Sequence, residues 1–162
     1  MDVYVARQPI LDADQQIYAY ELLFRSGLHN AFDGSDGNLA TSQLIQNTFV
    51  NIGFDTLTQG FPAFINFTQK LIQEGTATLL PMEKVVIEVL ETVQATDEVC
   101  LQLKKLKEKG FTIALDDVVS LEDNELLIEY ADIIKVDFLL TDSAQRMELA
   151  ENLLARGLIL LA

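Results

Sequence analysis

Five apolar runs of this sequence each carry one polar side chain toward the C-terminal end: Glu21 in AYELLFR, Asn66 in FPAFINF, Glu88 in VVIEVLE, Asp116 after TIAL, and Lys135 in IIKVDF. Asp117 follows Asp116 directly, and Asp137 follows Lys135 by two. An ionised side chain inside such a run is costly unless it is paired or bound to a metal. Several of them at matching places point to a shared site. Glu21, Asn66, Glu88 and Asp116 offer only oxygens, the donor set of Mg²⁺ or Mn²⁺ rather than zinc. The neighbours Asp116 and Asp117 could serve two ions, an arrangement suited to phosphodiester cleavage. Lys135 could stabilise charge on a phosphate or orient a water.

The elements that must position these residues follow from periodicity. Two β-rich stretches, 3–6 and 17–24, joined by a polar turn, read as a hairpin. A Gly/Asp/Asn-rich loop over 29–38 precedes helical spacing at Leu44, Ile45, Thr48, Phe49 and Ile52, stopped by Gly53. Strands are then expected over 61–67, 85–90, 111–115, 133–138 and 158–162, with helices over 69–74, 97–109, 121–131 and 143–156. Strands alternating with helices imply βαβ units and a mostly parallel sheet, either a doubly wound open sheet or a (β/α) barrel. Period two puts Phe64 with Asn66, Val86 with Glu88, Ala114 with Asp116 and Lys135 with Asp137 on one face each. In a parallel barrel the C-terminal strand ends gather at a single face, where catalytic residues sit.

Composition bounds the partners. The chain has 162 residues, 49% hydrophobic and 22% charged, with a formal net charge of −14. That balance argues against a DNA-binding surface and against docking on anionic membranes. An anionic ligand must be held by a local device such as a metal or a placed Arg or Lys. One Cys, Cys100, cannot form an internal disulfide, and the first ten residues lack a signal peptide's pattern, so a cytoplasmic protein is expected. His29, the single histidine, has no partner for zinc. The 33–37 loop lacks both the GxGxxG and the P-loop patterns. Each candidate also has a plain structural role open to it. Asp117 could cap the following helix, Glu91 could be a solvated strand end, Arg25 a surface residue, and Lys135 with Asp137 an ion pair on one strand.

Six motifs in order, Arg7-Gln-Pro-Ile10, Tyr20-Glu-Leu-Leu-Phe-Arg25, Phe64-Ile-Asn-Phe67, Val86-Ile-Glu-Val-Leu-Glu91, Ala114-Leu-Asp-Asp117 and Ile134-Lys-Val-Asp137, resemble the EAL domain along essentially the whole chain. The resemblance implies an α/β fold, a TIM-type (β/α) barrel with an N-terminal β-hairpin, here a single partial domain over 1–162. It implies hydrolysis of cyclic di-GMP to pGpG with Mg²⁺ or Mn²⁺. Glu21, Asn66, Glu88 and Asp116 would hold the first ion and Asp117 would reach the second. Lys135 and Asp137 would lie near the bridging water, Gln8 and Arg25 would touch the ligand, and Glu91 would steady the loop after Asp117.

The opening at Met1 and the ELLFRS motif resemble the EAL–HDOD branch, which implies a C-terminal HDOD output domain. Two departures stand inside the chain. Leu22 replaces the motif's Ala, and Val118-Val119-Ser120-Leu121 replaces a glycine-containing loop. Glycine allows backbone conformations that valine resists, which favours a degenerate, regulatory or ligand-sensing domain over an active phosphodiesterase. Measured against a barrel of about 250 residues, the chain offers six of eight βα units and stops before the family's general-base Glu. It is therefore expected to be inactive as it stands, and to self-associate, as a homodimer or larger, through the apolar 158–162 run. A different Mg²⁺ barrel enzyme of the enolase kind would fit the carboxylates but not the QPI and ELLFR motifs.

Overall fold

The computed structural model describes residues 3–26 and 53–161, with side chains from residue 5 to 23 in the first segment. The 29–38 loop with His29 and the helix expected over 44–52 lie outside the described residues. Strands β1 (Val3–Leu11) and β2 (Ile17–Ser26) form the hairpin. Its turn is tied by Asp12, whose Oδ1 accepts from the amides of Asp14 (2.9 Å) and Gln16 (2.8 Å). β1 runs beyond the expected 3–6. It carries Pro9 opposite Tyr20, which an edge strand tolerates because one side of it needs no amide donor.

Strands β3 (Ala63–Phe67), β4 (Val85–Val89), β5 (Thr112–Val118), β6 (Ile133–Val136) and β7 (Ile159–Leu161) continue the sheet. Its order is β1 to β7 in sequence, antiparallel between β1 and β2 and parallel at every later pairing. A sheet that adds each new strand beside the last, through a helix, is built as a barrel wall. The doubly wound alternative would have reversed the order.

Helices α1 (Phe54–Thr58), α2 (Gln69–Gln73), α3 (Asp97–Glu108), α4 (Leu121–Ile128) and α5 (Ser143–Ala155) fill the connections. α3 starts on Thr96, whose side chain accepts from the Val99 amide, and buries Val99, Leu103 and Leu106 on one stripe. α5 opens with a capping box between Asp142 and Gln145. Under these helices lies the larger apolar cluster, including Ile65, Phe67, Ile87, Val89, Ile113, Leu115 and Ile134 from the sheet. On the opposite face a second layer gathers Ala19, Phe64, Val86, Ala114 and Ile133, with Ile10 and Leu161 against it. Residues from both ends of the sheet thus meet in one layer, which shows the sheet curled around it.

β5 ends at Val118 rather than at the expected Leu115. The register against β6 shifts between Leu115 and Val118, and Asp117 takes φ 49°. This bulge returns Val118 to the buried face, 1% exposed. α1 and the 3₁₀ turn Thr76–Leu79 were not expected from the sequence.

Candidate functional site

Two residues beyond each member of the inner apolar layer, strand periodicity puts a polar one on the same face: Glu21 above Ala19, Asn66 above Phe64, Glu88 above Val86, Asp116 above Ala114, Lys135 above Ile133. The ladder pairs Asn66 directly with Glu88. The five side chains converge. Lys135 Nζ lies 2.8 Å from Asp116 Oδ1 and 3.4 Å from Glu21 Oε2, and it donates a short hydrogen bond to Glu88 Oε1. Asn66 Nδ2 donates to Glu21 Oε1 at 3.2 Å.

Three carboxylates around one ammonium leave an excess of negative charge. Glu88 is fully buried, and its Oε2 has no hydrogen-bond partner among the described residues. Burial, then the neighbouring Glu21, push its carboxyl up to about 8, against the pull of Lys135. Burial works against the charge on Lys135, but Glu88 and Asp116 together outweigh it and hold the ammonium above the ordinary lysine range. These donors fit a hard divalent cation. They are all oxygen, they exceed the positive charge available, and one fully buried carboxylate oxygen points at no donor.

Asp117 occupies the bulge beside this cluster. It does not cap α4, whose N-cap position is Ser120. Carboxylate oxygens of Glu91, Asp116 and Asp117 lie within 4.8 Å of one another, with Glu91 and Asp117 exposed to solvent. Burial, then Asp116 and Asp137, raise the Asp117 carboxyl above its usual range.

Asp137 does not pair with Lys135. Its Oδ1 accepts from the amides of Leu139 (2.6 Å) and Leu140 (3.2 Å), and its carbonyl accepts from the Thr141 hydroxyl. The guanidinium of Arg146 stacks 4.6 Å over Phe138 and donates to the Thr141 carbonyl, closing the same loop.

A cavity of about 1040 Å³ opens beside the cluster. Gln8, Glu21, Asp117, Lys135 and Asp137 line it, together with Ile10 of β1 and Leu161 of β7. Arg25 sits on β2 opposite Tyr4, and its side chain lies outside the described residues. Asp12 and Tyr18 of the hairpin also line the cavity without having been singled out. A turn aspartate and a strand tyrosine carry no signal that separates them from ordinary hairpin residues.

No family model matches the sequence. The chain is 40% identical over 167 residues to the uncharacterized protein YuxH of Bacillus subtilis, covering 100% of this chain and 41% of that protein. It is 37% identical over 155 residues to the cyclic di-GMP phosphodiesterase CdgJ of Vibrio cholerae, covering 95% of this chain and 36% of that one. The chain therefore spans well under half the length of these relatives. Among solved structures, the EAL enzyme Bd1971, bound to cAMP and cyclic di-GMP, superposes with a TM-score of 0.71 at 15% identity, over 98% of this chain and 54% of the other. A half-barrel with its polar cluster at the strand ends, and sequence kinship along nearly its whole length, lead to one conclusion: this chain has the fold of the solved EAL domains and is related in sequence to the cyclic di-GMP phosphodiesterase CdgJ.

Proposed function

We propose that this site belongs to a divalent-metal-dependent phosphodiesterase that opens cyclic di-GMP to linear pGpG. The observation that supports it best is the convergence of Glu21, Asn66, Glu88 and Asp116, from four adjacent strands, beside a cavity large enough for a nucleotide. Those four residues would hold one Mg²⁺ or Mn²⁺, and Asp117 with Glu91 would reach a second. When bound, such ions supply electrophilic activation of the phosphoryl group and of water.

The chain's own groups do the rest. Gln8 and Arg25 contact the dinucleotide, and Lys135 neutralises a phosphate oxygen. Asp137 holds the loop at the cavity wall through the Leu139 and Leu140 amides. In the reaction a water oxygen bonds to phosphorus and one phosphorus–oxygen ester bond breaks; one proton of the water ends on the released ribose oxygen and the other passes from the new phosphate monoester to solvent.

A second reading has its own support. The loop after Asp117 has no glycine, and Val118 is locked into the core, which favours a degenerate domain that binds the dinucleotide and passes the signal to an HDOD domain or to a second copy of itself. The full-length protein with saturating Mn²⁺, assayed for pGpG release, separates the two. Turnover that is lost in Asp116→Asn supports the enzyme. Binding of cyclic di-GMP without turnover supports the regulatory module, and no binding removes both.

A further inference from the structure

The ammonium of Lys135 stands where the carboxylates converge. It touches Glu21 of β2, Glu88 of β4 and Asp116 of β5, three of the four residues assigned above to a metal ion. We propose that Lys135 is the resident counter-ion of this site, and that a divalent ion enters only by exchange with it, turning the ammonium out into the adjoining cavity. This rests on the metal-site reading of the previous section.

Three observations support the exchange. First, a hard ion needs these oxygens at about 2.0–2.1 Å for Mg²⁺, and the ammonium already occupies their common focus, so the two positive charges exclude one another. Second, Glu88 is 0% exposed, so its carboxyl meets only groups within the site, and the Lys135 ammonium is in direct contact with it. Third, Lys135 has somewhere to go. Its four-carbon stem is flexible, it lines the cavity of about 1040 Å³, and the carboxylates of Asp117 and Asp137 line the same cavity as alternative partners.

Exchange makes metal loading and anion recognition one event. With an ion bound, Lys135 projects where an anionic phosphate ester would lie. Without one, the lysine is consumed by the carboxylates. Linkage then requires that a phosphodiester and the metal tighten each other's binding.

The test uses chelator-stripped protein. Mn²⁺ titration followed by electron paramagnetic resonance compares the wild type with Lys135→Ala. Removal of the competing ammonium should tighten Mn²⁺ binding by about tenfold or more, on the scale by which residues supporting a metal site change affinity. Equal or weaker binding by Lys135→Ala overturns the exchange. A second readout needs no variant. Amine acylation of wild-type Lys135, followed by peptide mass spectrometry, should rise when Mg²⁺ is added, and an unchanged or lower extent overturns the proposal. If neither protein binds Mn²⁺, the metal-site reading falls and the exchange with it. If both bind equally, only the exchange falls.

Discussion

The two faces of the parallel strands make opposite demands on neighbouring residues. On the outer face Ile65, Ile87, Ile113 and Ile134 lie under the helices at 2% exposure or less. On the inner face, near the C-terminal strand ends, the carboxyl groups of Glu21, Glu88 and Asp116 crowd around the single ammonium of Lys135, with Asn66 hydrogen-bonded beside them. The first face stabilises by burying apolar area, roughly 25 cal/mol per Å². The second costs stability, because a buried carboxylate excess is poorly compensated by one ammonium. Since strand register is common to both faces, packing outside fixes where the carboxylates meet inside.

The largest expected effect falls on the outer face. Phe67→Ala, at a position with 0% exposure, should lower unfolding free energy by about 3–5 kcal/mol in urea denaturation, while Mn²⁺ affinity of the folded protein stays unchanged. On the inner face the result should invert. Asp116→Asn removes one of three acids facing Lys135, so metal-free stability should hold or rise. Mn²⁺ affinity should fall by more than the about 10–100-fold that loss of a supporting residue costs. Loss of stability with retained affinity would erase the contrast.

A smaller effect is pH-dependent. The Glu88 carboxyl, held up to about 8, keeps its proton in the folded state over a range where the unfolded chain has released it. Metal-free stability should therefore fall as pH rises from the ordinary carboxylate range to about 8. Lys135, held above its ordinary range, contributes fully across that window and does not offset the slope. Thermal denaturation from pH 5 to 8 should show a steeper slope in the wild type than in Glu88→Gln, where only the raised Asp117 carboxyl still contributes in the same direction.

The smallest effect concerns the loop after β6. Asp137→Ala should cost about 1 kcal/mol through the lost amide acceptors, whereas Asp137→Asn keeps an acceptor oxygen and should cost little. A turnover loss in Asp137→Asn with an intact fold would add a chemical role to the structural one.

Much of this was legible because strand period two and apolar runs are local signals. Glu88 inside VVIEVLE announces a buried charge, and the matching places of Asn66 and Asp116 announce a shared one. What stayed hidden depends on long-range geometry or on backbone irregularity. Lys135 meets Glu21 across 114 positions, so no spacing rule distinguishes that contact from a local pair with Asp137. The extension of β5 through Asp117 depends on a positive φ at a non-glycine residue. α1, five residues long, is too short to display a helical period, and Pro9 disguised the second half of β1.

Everything proposed for this site depends on four strand-end side chains forming one divalent-cation site. Anomalous diffraction from crystals soaked in Mn²⁺ tests it most directly. The expected result is a manganese peak ligated by oxygens of Glu21, Asn66, Glu88 and Asp116, with Lys135 withdrawn into the cavity. A peak elsewhere, or Lys135 still seated among the three carboxylates at saturating Mn²⁺, would contradict it.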